Sequence, residues 1–92
     1  MKFEWDEDKR RANIAKHGID FRAAVKVFTD PRRVNGYDLV HSEEGDRWWV
    51  TGKPGANLGV LFVVYTERHG DTIRLISARK ASKNEREAYD KG

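Results

Sequence analysis

The chain has no cysteine, which excludes disulfides, thiolate zinc sites and a cysteine nucleophile. No apolar run approaches the ~20 residues a membrane span requires. The opening MKFEWDEDKR mixes charges of both signs and offers no apolar signal core. Repeats, low-complexity tracts and linkers are also absent. No HxxxH pair or carboxylate triad has metal-ligand spacing, so neither metal nor cofactor is expected. Gly52, Gly55 and Gly59 precede no Gly-Lys-Ser/Thr and open no helix, so they make no phosphate loop. What remains is one domain over residues 1–92, expected in the cytoplasm and off the membrane.

Its 38% hydrophobic content, with 11% aromatics, is enough for a modest core, and the 36% charged fraction keeps the surface wet. The net charge of +3 is unevenly placed. Residues 1–67 hold eleven Lys or Arg against eleven Asp or Glu, whereas residues 68–92 hold seven against four. The whole excess therefore sits in the C-terminal quarter. Such a patch attracts nucleic acid, and it equally suits an acidic protein partner.

The local signals predict β-α-α, three strands, then α. FEW (Phe3 to Trp5) alternates as a short edge strand. Asp6 caps EDKRRANIAKH, a helix polar nearly all round, and Gly18 ends it with Ile19 reaching back over Ile14. Asp20 caps a second helix whose Phe21, Ala24, Val25 and Phe28 form one apolar stripe, closed by Asp30-Pro31. Residues 32–46 are weakly patterned, with Asn35-Gly36 as a candidate hairpin turn. Strands follow at 47–53, 58–68 and 72–80, joined by Pro54-Gly55-Ala56-Asn57 and His69-Gly70-Asp71. Short joins make the three an antiparallel meander. Its middle strand, apolar on both faces from Val60 to Tyr65, is expected to be central. Trp48 and Trp49 face opposite sides. Ser82-Lys83-Asn84-Glu85 is a capping box opening a helix to about Tyr89. The fold class is α+β: helices on one face of an antiparallel sheet.

The chemistry concentrates in IRLISARKASKNEREAY, residues 73–89. On a regular strand Ile73, Leu75, Ser77 and Arg79 share one face, and Arg74, Ile76, Ala78 and Lys80 the other. A cleft between the strand ends and the last helix would gather an arginine with Arg86 and Tyr89. Arginine presents a planar fork that matches two phosphate oxygens. Tyrosine offers a face for an unpaired base or a hydroxyl for proton transfer. The structural alternatives are ordinary strand-end arginines, with Glu85 pairing a neighbouring cation and Tyr89 packing on the sheet. His17 fits the C-terminal end of its helix as a cation, or acts as an acid or base. His41 and His69 sit in loop contexts that distinguish neither.

FEWDEDK, Asn13, KHGIDF, VVYTER and RLISARKASKNEREAY together resemble the BrnT family, toxins of type II toxin–antitoxin modules. The likeness runs from Phe3 to Tyr89. It is weakest over 32–46, and Thr51 stands before Gly52 where the family usually has an aliphatic residue. The resemblance implies a RelE-like microbial ribonuclease fold and metal-independent RNA cleavage that inhibits translation. It also implies a BrnA-like antitoxin with a ribbon-helix-helix part, through which alone the complex meets operator DNA and represses its operon.

The expected chemistry is attack of an RNA 2′-hydroxyl on the adjacent phosphorus. Arg79, Arg68 and Arg86 serve as phosphate ligands, Tyr89 stacks or donates a proton, and Glu67 or His17 is the base. Lys80, Lys83, Arg74 and Lys16 complete the RNA-binding set. The alternative is a non-catalytic module binding nucleic acid or partner through the same patch, such as an inactive toxin serving as co-repressor.

Overall fold

Local capping sets the helices of the computed structural model, which describes residues 1–43, 45–55 and 58–92. After strand β1 (Lys2–Glu4), the Asp6 carboxylate accepts from the N–H groups of Asp8 and Lys9 and starts α1 (Glu7–His17). Gly18 stops it at φ 72°, a left-handed turn that glycine enters without a Cβ clash. Asp20 caps α2 (Phe21–Ala24), which tightens into a 3₁₀ turn over Val25–Thr29. The expected single helix is thus split, as β-branched Val25 and Val27 run toward Pro31. The Ser82–Glu85 capping box opens α3 (Lys83–Lys91).

Among the described residues the sheet has five strands, not four. Besides β1 it contains β2 (Val34–Tyr37), β3 (Trp48–Gly52), β4 (Leu61–Arg68) and β5 (Thr72–Lys80), in the order β1-β5-β4-β3-β2. β4 is central, as its doubly apolar run requires. The meander from β2 to β5 is antiparallel, but β1 lies parallel to β5, so the sheet is mixed. A hairpin would force opposite directions; the chain leaves β1 through helices instead. Asn35-Gly36 is not a turn but lies within β2, opposite Val50 and Trp49. Of the expected turn at 54–57, Ala56 and Asn57 lie outside the described residues.

α2 and its 3₁₀ extension bury Phe21, Ala24, Val27 and Phe28 against Val50, Leu61, Val63, Tyr65, Leu75 and Ala78. Phe28 stacks edge-on to Tyr65, with centroids 5.0 Å apart. α3 departs from the expected arrangement: it borders the other face of the sheet, where Asn84, Glu85 and Ala88 wall a groove. A bulge in β5 decides what points into that groove. Val64 pairs with Ser77 and Tyr65 with Leu75, leaving Ile76 as the extra residue. Leu75 and Ala78 therefore both face the core, while Arg74, Ser77 and Arg79 share the open face. The regular alternation expected across 73–80 fails at that one residue.

Asn13 shows how the edge of β5 is closed beyond the three residues of β1. Its amide donates to the Ile19 and Ala78 carbonyls at 2.9 and 2.8 Å, and its carbonyl accepts from Ala78 N–H at 3.1 Å. The side chain replaces a neighbouring strand. Asn13→Ala would leave three backbone groups without this partner, at about 1–3 kcal/mol each if water cannot reach them. Urea unfolding is expected to show a lowered midpoint; an unchanged midpoint would mean that water takes over the side chain's role.

Candidate active site

The groove on the open face holds about 610 Å³ and is mainly apolar. Trp49, Phe62 and Val64 form its floor, α3 forms one wall, and Val40 and His41 form part of the other. Arg79 is the one member of the candidate catalytic set that lines it. Its guanidinium lies 4.2 Å from the centroid of Phe62, which in turn stacks on Trp49 at 5.7 Å and 19°. Cross-strand pairing explains the row. Arg79 is directly opposite Phe62, and Trp49 opposite Val64, one diagonal step away.

Arg79 is held by Glu85. Nη1 donates to Oε1 at 2.8 Å and Nη2 to Oε2 at 3.0 Å, while Nη1 also reaches the Lys80 carbonyl. Glu85 additionally accepts from Ser82 N–H in the capping box, so one carboxylate ties the strand end to the helix start. The Arg79 hydrogen bond holds the Glu85 carboxyl below its usual range and raises Arg79 above its own, against the opposing effect of burial on both. Of five guanidinium N–H groups this uses three. Nε–H and one Nη2–H, a complete edge of the fork, have no partner among the described residues. That edge matches two phosphate oxygens.

Tyr89 does not present a stacking surface. Only 2% of it is exposed; its ring packs with Val60 and Ala81, and its hydroxyl donates to Asp30 Oδ2 at 2.6 Å. Burial first, then the Asp30 carboxylate, pushes its phenol above the ordinary value, making it a weaker proton donor. Asp30 loses by burial but gains more from Tyr89 and from the backbone N–H groups of Lys53 and Arg32, so its carboxyl sits below the usual range. The expectation of a base-stacking Tyr89 is corrected: the ring closes a joint between α3 and the end of the 3₁₀ turn.

The remaining candidates disperse. Lys80, Lys83 and Arg86 are exposed around the β5–α3 junction, with Arg86 Nη1 donating to the Ala81 carbonyl at 3.2 Å. Arg68 lies six positions along β4 from Phe62, about 20 Å at ~3.3 Å per residue. It sits with Glu67 at the far end of the sheet, where Arg74 Nη1 contacts Glu4 at 2.8 Å. Among the described residues, the groove beside α3 takes Arg79 from the strands but not Arg68, and neither Arg86 nor Tyr89 lines it. Lys16 and His17 end α1, which packs alongside β5, and neither lines the groove.

Sequence reasoning missed His41. Its Nδ1 lies 3.0 Å from Asp38 Oδ2, and both residues line the groove. A carboxylate on Nδ1 selects the tautomer that leaves Nε2 free to accept a proton. The signal was a histidine three residues after an aspartate, which in a loop context distinguishes nothing. Trp49, expected only to oppose Trp48, was missed in the same way.

No curated protein sequence matches the chain. Among solved structures it is similar to the crystal structure of the Brucella abortus ribonuclease toxin BrnT, with 31% identity and a TM-score of 0.67 over 90% of this chain and 99% of that one. The family described as "Ribonuclease toxin, BrnT, of type II toxin-antitoxin system" matches residues 5–85, a span that includes Arg79 and Glu85 and stops short of Tyr89. The chain belongs to the BrnT family of ribonuclease toxins.

Proposed function

We propose that this protein is a metal-independent endoribonuclease of RelE-like type that inhibits translation in the cytoplasm. A BrnA-like ribbon-helix-helix antitoxin neutralises it, and the complex represses its own operon through that antitoxin. Family membership carries the reading. The groove supports it with an arginine edge free for phosphate and a carboxylate-oriented histidine.

In this mechanism His41 Nε2 takes the proton from a ribose 2′-hydroxyl as the 2′-oxygen bonds to phosphorus. Arg79 neutralises the charge growing on the non-bridging oxygens, and the bond to the 5′-oxygen breaks as that oxygen takes up a proton from water. Lys80, Lys83 and Arg86 hold the flanking phosphates. Glu67 and His17, outside the groove, are not given the base role.

Purified protein incubated with a labelled RNA in EDTA is expected to yield fragments ending in 2′,3′-cyclic phosphate or 3′-phosphate. His41→Ala should slow cleavage without weakening RNA binding. Cleavage lost to chelator and restored by Mg²⁺ would sink the metal-free reading.

A further inference from the structure

Apart from the free edge of Arg79, the groove offers little to hold a phosphate. Glu85 offsets the charge of Arg79, and Asp38 faces His41, so little net positive charge remains inside. What the floor offers is planarity: the Arg79 guanidinium over Phe62, and Phe62 stacked on Trp49. A Cβ at Gly36 would collide with the indole, so the glycine opposite Trp49 is what lets the ring lie against β2. Asn84, exposed on the first turn of α3, also lines the groove and has no hydrogen-bond partner among the described residues. A carboxamide with two donors and an acceptor can read the edge of a base.

We propose that the groove is a nucleobase pocket in which an unpaired base packs on the aromatic floor that Trp49 and Phe62 line and Asn84 reads its edge, while the free edge of Arg79 takes the adjoining phosphate. The pocket sets which RNA positions are cut, and it takes over the stacking role that Tyr89, being buried, does not fill. Unpaired bases are recognised by this pairing of an aromatic face with edge hydrogen bonds. The proposal rests on the ribonuclease reading but can be tested apart from it.

The test titrates the full-length protein with the four nucleoside 5′-monophosphates and follows the Trp49 indole N–H resonance, assigned with Trp49→Phe. Ribose 5-phosphate is the base-free control. The Trp49 signal should move with nucleotides and not with the control. On a defined RNA, Trp49→Ala should raise KM by about 5- to 100-fold, as the loss of one stacked base does. Asn84→Ala, at an exposed position that does not threaten folding, should redistribute the cleavage sites. A Trp49 signal unmoved by every nucleotide overturns the proposal. So does an unchanged cleavage pattern in Asn84→Ala and Trp49→Ala alike, including the case where only binding of a protein partner is lost. A protein that cuts no RNA yet shifts Trp49 with nucleotides keeps the pocket and sinks the ribonuclease reading.

Discussion

Tyr89→Ala is expected to lower stability by about 3–5 kcal/mol, the usual cost of emptying a buried aromatic site. That is a large share of the ~5–15 kcal/mol that holds a small domain together. The ring fills a cluster with Val60 and Ala81, and the hydroxyl satisfies Asp30 from 59 positions along the chain. Truncation therefore also loosens the contact between α3 and the rest of the molecule. Tyr89→Phe keeps the ring and removes one bond to a carboxylate that still accepts from Lys53 and Arg32 N–H, at 2.8 and 2.9 Å. Its cost should be about 1.5–3 kcal/mol, the range for hydrogen bonds to charged groups. Denaturant unfolding separates the two variants. Cleavage per folded molecule should survive in Tyr89→Phe. A fully folded Phe variant that cleaves a hundredfold slower would return the hydroxyl to the chemistry.

Arg79→Ala should leave the fold nearly intact and cost about 10²–10³ in cleavage rate, as losing one preorganised donor to a developing charge does. The ion pair it breaks is partly exposed, 38% and 24% at the two side chains, so its own stabilisation is small. Arg79→Lys should not restore the rate, because an ammonium cannot serve Glu85 and a phosphate with two edges of one plane. Glu85→Gln should cost less than Arg79→Ala, since it loosens the fork without removing it. Expression without antitoxin gives the readout: growth arrest relieved by Arg79→Ala at equal soluble yield. Full toxicity would make Arg79 a structural residue. The same pair has an acid signature. The folded pKa of Glu85 is lowered, chiefly by Arg79, so the stability it adds is complete above the unfolded glutamate value and is lost as pH falls through the folded one. Arg79→Ala should therefore flatten the acid limb of the stability curve.

Much of the architecture was legible because its causes are local. Asp6, Gly18, Asp20 and the Ser82–Glu85 box act within one helical turn, and each set a boundary where the sequence places it. The doubly apolar run from Val60 to Tyr65 leaves β4 nowhere but the centre. FEWDEDK, Asn13, KHGIDF, VVYTER and RLISARKASKNEREAY were together enough to indicate the family, and the reading of Glu85 as a partner for a nearby cation holds in the geometry.

Tertiary structure alone decided the rest. VNGY reads as a turn until Trp49 lies across Gly36, because a glycine in a strand is stabilised by its neighbour and not by itself. The direction of β1 depends on the helices between it and β5, which carry no register information. One bulged residue, Ile76, turns Arg74 and Arg79 to the same face, and strand periodicity has no means of announcing a bulge. Tyr89 goes inside because Asp30 waits for its hydroxyl, a pairing of distant residues. Arg68 stands at the other end of the sheet from Arg79 because antiparallel strands bring the end of one to the start of the next. Charge, caps and periodicity are properties of neighbours in the chain; a site is a meeting of residues that are not neighbours.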